Sequence, residues 1–250
     1  MTGTFAGASA YHGMGFLTEA ALHILLPRAC AHCRGDIPLG DAEVLCLSCR
    51  ELLPEPPDPA CLRCGGTLGV RRDFCRSCAG RLFACRLVRA AAAHRGPAVS
   101  LVHAFKFRGL PCAARAAGRF MAREFARHGE LAGFDALVPV PLHPRRERQR
   151  GYNQAEILAR EVAAATGLPI MCFLERRHGK GPAWRMGKEE RQTELSGAFA
   201  VRSGCEKDTT GKRLLLIDDV CATATTLEEC ARALREAGAA DAAGWVFARA

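Results

Sequence analysis

Eight of the fourteen cysteines fall into four Cys-x-x-Cys pairs, Cys30/Cys33, Cys46/Cys49, Cys61/Cys64 and Cys75/Cys78, all within 49 consecutive residues. A segment of about 50 residues with few aromatics cannot bury enough surface to fold unaided, so it needs a covalent or metal clamp. A Cys-x-x-Cys pair on a tight turn presents two thiolates to one metal, and two pairs complete a tetrahedral site with Zn–S near 2.3 Å. Four sulfur ligands leave no position open for water, so such a site is structural. Eight ligands predict two zinc ions. Sequential pairing is simplest: Cys30, Cys33, Cys46 and Cys49 for one, and Cys61, Cys64, Cys75 and Cys78 for the other. Spacing alone also permits interleaved pairing. A redox dithiol needs one pair rather than four, and an iron–sulfur centre is the alternative metal chemistry.

No apolar run reaches the ~20 residues that span a bilayer. The apolar stretch Leu22–Leu26 is short, is interrupted by His23 and lacks a preceding basic region, so it does not read as a signal peptide. The expectation is a cytoplasmic protein without membrane insertion, where disulfides are disfavoured and paired thiols suggest metal.

Three stretches are distinguished along the chain. Residues 1–27 read as a tail with a short amphipathic helix over Phe16–Leu26, ended by Pro27. Residues 28–80 hold the cysteines as a duplicated unit of about 30 residues, its halves separated by Pro54, Pro56, Pro57 and Pro59. Residues 81–250 alternate between the two periods. Strands are predicted at Leu87–Ala93, Ala136–Pro141, Ile170–Leu174, Ala198–Val201, Leu214–Ile217 and Gly244–Ala248. Helices are predicted at Pro97–Phe107, Pro111–His128, Asn153–Thr166 and Thr225–Ala237. That order implies an α/β domain with a parallel sheet covered on both faces. The charge follows the same division. Residues 1–80 carry 7 Arg, no Lys and 8 Asp/Glu, whereas the rest carries 28 basic and 18 acidic residues. A basic second part suits an anionic partner such as phosphate, nucleotide or nucleic acid.

The segment Leu214–Leu227 is the most informative for function. A buried strand delivers two adjacent carboxylates, Asp218 and Asp219, and a loop of small and hydroxyl residues then opens a helix. Ligands bind at this carboxyl edge in open α/β sheets. The amides of Thr223–Thr226, with the hydroxyls of Thr223, Thr225 and Thr226, can cradle a phosphate at a helix N-terminus. Two acids facing that loop suit the vicinal hydroxyls of a ribose. Cys221, beside the acids, reads as a small apolar filler.

Ile217–Thr226 resembles the signature of type I phosphoribosyltransferases. Val138-Pro-Val-Pro-Leu-His-Pro-Arg-Arg146, Arg150-Gly-Tyr-Asn-Gln154, His103–Gly109 with its Lys106-Phe-Arg-Gly stretch, Glu190-Arg191 and Gly197-Ala-Phe-Ala-Val201 narrow the resemblance to the ComF family. So does the N-terminal double zinc ribbon, and the resemblance spans about residues 22–250. It implies a type I phosphoribosyltransferase-like parallel sheet with helices on both faces, preceded by a small Cys-rich double zinc ribbon. It further implies that Asp218 and Asp219 hold the ribose hydroxyls of phosphoribosyl pyrophosphate (PRPP), and that Thr223, Ala224, Thr225 and Thr226 hold its 5′-phosphate. The turn Pro141, Leu142, His143 and Arg145 would sit at the pyrophosphate with Mg²⁺ bridging, and Arg150, Asn153 and Gln154 would lie nearby. The basic loop 176–191 would be a cover, with Arg191 reaching the site as a catalytic residue beside the two acids. His143 can equally be a phosphate contact or a surface residue.

Three positions depart from the pattern: Ala224 stands where such loops carry Gly, Ala183 replaces a usual Gln, and Glu194 a usual Asn. A second reading is a competence factor for single-stranded DNA, working with DNA-uptake proteins. It would use Arg145, Arg146, Arg148, Arg150, Arg176, Arg177, Lys180, Arg185, Lys188 and Arg191 for charge and Trp184 and Tyr152 for stacking. Aromatics, at 6% of the chain, weigh against it.

Overall fold

The computed structural model describes residues 28–38, 40–41, 43–177 and 197–250. The helix expected at Phe16–Leu26, most of the loop 176–191 with Ala183 and Arg191, and Glu194 beyond it lie outside them.

The cysteine segment folds as two copies of one knuckle. In the first, Cys30 N–H donates to Gly35 O and Ile37 N–H to Arg28 O; in the second, Cys61 N–H donates to Gly66 O and Leu68 N–H to Pro59 O. Single antiparallel bridges, Ala29 to Asp36 and Ala60 to Thr67, close them. Arg34 occupies the left-handed region at φ 67° where the second copy has Gly65 at φ 65°. A side chain there is strained by about 1–2 kcal/mol. Arg34→Gly is therefore expected to stabilise the chain by up to about 1 kcal/mol, measured by urea denaturation. A short helix, α1 (Leu47–Glu51), carries Cys49.

Four parallel strands form the main sheet: β1 (Val88–Ala93), β2 (Ala136–Pro139), β5 (Arg213–Cys221) and β6 (Asp241–Arg249), in the order β1-β6-β5-β2. Between β1 and β2 run α2 (Pro97–Phe107) and α3 (Pro111–Phe125); after β2 come α4 (Pro144–Arg150) and α5 (Gln154–Thr166). A separate antiparallel pair, β3 (Leu174–Arg176) and β4 (Phe199–Val201), is followed by the short α6 (Glu206–Thr209), and α7 (Thr225–Glu236) links β5 to β6.

The two-residue period of β5 builds both cores. Leu215 and Ile217 join Trp245, Phe247, Leu101, Phe105, Met121 and Leu158 under α2, α3 and α5. Leu214 and Leu216 join Val138, Val246, Phe199, Leu227, Cys230 and Leu234 under α7. Each large apolar side chain fully buried here contributes about 1.5–3 kcal/mol. The first cysteine knuckle belongs to the former core, through Cys30, Ile37, Val44, Leu45 and Cys49.

The predicted strand Ile170–Leu174 is displaced. Ile170 makes one parallel bridge to Leu137 at the sheet edge, and the regular strand begins only at Leu174, paired with Val201. Strand β5 continues past Ile217, because β6 pairs with it as far as Cys221. The stretch before Asn153, expected as a Pro-rich turn, contains α4: Pro144 occupies its first turn, and His143 Nδ1 accepts from Arg145 N–H at 3.1 Å as its cap.

Candidate functional site

Strand β2 ends at Pro139, opposite Ile217, and Val140 N–H makes a last bond to Ile217 O at 2.9 Å before the chain turns away. Beyond Ile217, β5 keeps β6 on one side and loses its neighbour on the other. Asp218 and Asp219 stand at this step. A cavity of about 530 Å³ opens there, walled by Val140, Pro141 and Leu142 on one side and by Asp218, Asp219 and Thr226 on another.

Asp219 is 3% exposed, and Lys106 Nζ from α2 donates to its Oδ1 at 2.6 Å. Its Oδ2 is buried with no hydrogen-bond partner among the described residues. A buried carboxylate oxygen without a donor is unfavourable by about 1–3 kcal/mol or more, so this oxygen is left to accept from water or from a ligand in the cavity. Asp218 Oδ1 accepts from Asp219 N–H at 2.8 Å. Burial first, and the neighbouring Asp219 carboxylate second, push the Asp218 carboxyl up to about 7, while Lys106 and Arg176 pull against them.

This shift sets a pH dependence. In the native state Asp218 keeps its proton until about 7, whereas the unfolded chain releases it near 3.8. Free protein is therefore expected to lose stability as pH rises through that window, and a ligand that needs the ionised pair to bind more tightly across it, levelling above about 7. Melting temperature against pH checks this: Asp218→Asn should flatten the slope between about pH 4 and 7.

The cavity is cationic opposite the acids. Arg146, Arg150 and Arg176 line it with Lys106, and Arg150 donates to Gln154 Oε1. Burial pushes the Arg150 guanidinium pKa down, and the Asp219 charge counters it. Phe107, 72% exposed, stands at the rim with its ring centroid 5.1 Å from that of His103. His94, after β1, is also close to the charges: burial first and Lys106 second push its imidazole down, and its Nε2 is buried and unpartnered among the described residues.

Loop 222–224 leads from β5 into α7. Among the described residues no side chain caps α7, whose first-turn amides have no acceptor within the helix. Thr223 Oγ1 and Thr225 Oγ1 lie 2.9 Å apart. Ala224 is in the left-handed region, φ 60° and ψ 1°, at the position where the sequence pattern led us to expect Gly. Ala224→Gly is expected to stabilise the chain by up to about 1 kcal/mol, read by urea denaturation.

Of the sequence-predicted residues, the structure brings Pro141, Leu142, Arg150, Gln154, Asp218, Asp219 and Thr226 to the cavity wall. Thr223, Ala224 and Thr225 form the adjoining loop, and His143 and Arg145 sit at the start of α4, outside the wall. Asn153 is a clasp: its Nδ2 donates to Val140 O at 3.1 Å and its Oδ1 accepts from Ala155 N–H at 3.0 Å. Asn153→Ala is expected to destabilise by about 2 kcal/mol in thermal melts. Lys106, Phe107, Arg146, Gln149 and Arg176 complete the wall without having been picked out as ligand-binding residues of this pocket. Only the Lys106-Phe-Arg-Gly motif and the basic run had marked any of them.

The cysteines pair sequentially. In each set, Cys30, Cys33, Cys46, Cys49 and Cys61, Cys64, Cys75, Cys78, all ligand atoms lie within 4.8 Å of one another. Cys33 Sγ and Cys46 Sγ are 3.7 Å apart, and Cys64 Sγ and Cys75 Sγ 3.8 Å. A tetrahedron with metal–sulfur bonds of ~2.3 Å has edges of about 3.8 Å, so each cluster could hold a zinc ion. Burial pushes Cys30 up, but the N–H groups of Cys46, Cys33 and His32 outweigh it and hold the thiol at about 6. Burial first, then hydrogen bonds with Cys46, Cys33 and Cys30 and the charge of Cys30, push Cys49 up to about 12, a cost of ionisation that a central dication would offset.

The model of the phosphoribosyl transferase domain matches residues 149–249, which include α5, both acids and the loop. Competence protein F of Haemophilus influenzae is 27% identical over 225 residues, covering 88% of this chain and 96% of that protein. Competence protein ComFC of Streptococcus pneumoniae is 32% identical over 137 residues, 55% of this chain and 56% of its own length. The domain match and these relatives support the ComF family for this chain. DNA utilization protein YhgH of Escherichia coli K12, 24% identical over 234 residues, covers 90% of this chain and 99% of that protein. The chain has a type I phosphoribosyltransferase-like fold, with the two Cys₄ clusters ahead of it. No helix of the described residues is long and apolar enough to cross a membrane.

Proposed function

We propose that this ComF protein binds PRPP with Mg²⁺ in the cavity at the end of β5 and transfers its phosphoribosyl group to an acceptor, in support of DNA uptake. The observation that carries this reading is the Asp218/Asp219 pair with its unpartnered Asp219 Oδ2, set beside a helix N-terminus in a cationic crevice. In this reading Asp218 and Asp219 accept hydrogen bonds from the ribose hydroxyls, and Thr223–Thr226 hold the 5′-phosphate. Arg146, Arg150 and Arg176 balance the charge that develops on departing pyrophosphate; Arg191, the further cation that the resemblance implies, lies outside the described residues. Mg²⁺ bound with PRPP supplies further neutralisation at the pyrophosphate, and the acid pair offers the oxygen donors that a hard cation and its waters prefer. Displacement at the ribose carbon needs no covalent nucleophile.

In the same reading the chain divides into a tail at 1–27, a double zinc ribbon at 28–80 holding two structural Zn²⁺, and a phosphoribosyltransferase unit at 81–250, working in the cytoplasm. The names of its relatives support a role with DNA. The exposed arginines of α4 and the aromatic rim at Phe107 favour single-stranded DNA as a second ligand over the same face. Titration calorimetry separates the two. PRPP binding should require Mg²⁺, vanish in Asp219→Asn and fall less steeply with salt than oligonucleotide binding. Oligonucleotide binding should persist in that variant and fall steeply between about 50 and 200 mM salt. Absence of PRPP binding in folded wild type would sink the enzymatic reading.

A further inference from the structure

Arg249 is the last residue of β6 and only 9% exposed. Its guanidinium bridges two segments far apart in sequence. Nε donates to Cys64 O at 3.0 Å, and Nη2 lies 3.9 Å from Cys64 Sγ, a member of the second Cys₄ cluster. Nη1 donates to Cys221 O and Ala222 O, both at 2.7 Å, where β5 leaves the sheet for the loop leading to α7. It also donates to Ala250 O. A planar fork of donors can hold two backbones in fixed register, as a flexible ammonium cannot.

The surrounding contacts make this bridge stiff. Three consecutive carbonyls of the second knuckle are taken up by the sheet and its last residue: Leu62 O by Arg89 Nη1 at 2.8 Å, Arg63 O by Val88 N–H at 2.6 Å, and Cys64 O by Arg249. Gly66 leaves the space that the guanidinium fills, since a Cβ there would meet Arg249 Nη2 at 2.8 Å and Cys64 Sγ at 3.3 Å. Ala224, in the middle of the loop, packs against the cluster of Cys61, Cys64, Leu68 and Cys78.

We infer that Arg249 is a positioning residue that couples the second Cys₄ site to the loop 221–226, so that metal in that site sets the geometry with which the loop meets a phosphate. The phosphate part of this inference rests on the reading under Proposed function.

The test uses the full-length, zinc-loaded protein and the variants Arg249→Met, Arg249→Lys and Gly66→Ala. Three quantities are measured: the PRPP dissociation constant with Mg²⁺, hydrogen exchange of amides 221–226, and zinc retained against a competing chelator. Arg249→Met should weaken PRPP binding by about 10–100-fold, the range for groups that support metal ligands, raise exchange across 221–226 and loosen one of the two zinc ions. Arg249→Lys should not rescue, because the fork rather than the charge makes the bridge. Gly66→Ala keeps the arginine but displaces its flexible end, and should give the same pattern with a smaller amplitude. Coupling is reciprocal, so PRPP should tighten zinc retention in wild type and lose that effect in Arg249→Met. Unchanged loop exchange and zinc retention in folded Gly66→Ala and Arg249→Met would overturn the inference. If Arg249→Met does not fold, Gly66→Ala decides. If wild type binds no PRPP, the functional reading fails while exchange and zinc retention still test the coupling.

Discussion

Cys30→Ser/Cys49→Ser is expected to cost the chain most of its stability, whereas Cys61→Ser/Cys78→Ser leaves a folded protein with a loosened loop. The two clusters have the same ligands and nearly the same backbone, but they are seated differently. Cys30 and Cys49 belong to the core that holds Leu101, Met121, Leu158 and Trp245, and they bring Ile37 and Leu45 into it, 1% and 2% exposed. With two of its four ligands gone the site cannot close around a metal, the knuckle is released, and each of those two side chains forfeits about 1.5–3 kcal/mol of burial. The second cluster has a small core of its own with Leu68, so its loss is felt through Arg249, Ala224 and the bonds to the edge strand β1 rather than through the main core. Calorimetric melting together with zinc counted per chain checks the asymmetry. Each double variant should hold one zinc ion, and equal losses in melting temperature would contradict the packing argument.

Lys106→Met is expected to destabilise the protein by about 2–4 kcal/mol and Asp219→Asn by much less, although each removes one half of the same ion pair. The reason is burial. The Asp219 side chain is 4% exposed and the Lys106 side chain 23%. Removing the lysine strands a charge deep in the protein, while removing the carboxylate leaves an ammonium that reaches water along the cavity. Lys106→Met/Asp219→Asn should recover most of the lost stability, and a double-mutant cycle in urea reads the coupling directly. Removing Lys106 also takes away a charge that lowers Asp218, so the pH at which that carboxyl ionises should rise further.

Much of this was legible in the sequence for a physical reason. Cys-x-x-Cys spacing encodes a turn geometry, so the clusters and their duplication could be read from positions alone. The four-residue run Leu214–Ile217 is buried on both faces because α2, α3 and α5 cover one face of the sheet at β5 and α7 the other, and an unbroken apolar run is what such a strand requires. The acids were found because they follow that run. Their surroundings were not found, because Lys106 lies 113 residues away and only the packing of α2 on the sheet brings it to Asp219. Helix α4 was missed because its single proline, its arginines and its other polar residues give no apolar period; that first-turn proline and the His143 cap define it instead. Arg249 carried no signal, since nothing local distinguishes a strand-terminal arginine that will reach Cys64 from one that will face water.

The central claim is that the step at the end of β5 is a sugar-phosphate site. It is tested most directly by the thermal shift that PRPP and Mg²⁺ produce in wild type and in Asp218→Asn/Asp219→Asn. Ligand at ~100 times its dissociation constant should stabilise the wild type by about 2.7 kcal/mol and leave the double variant unmoved. A wild type that melts unchanged with PRPP and Mg²⁺, or a double variant that shifts as far as wild type, would contradict it.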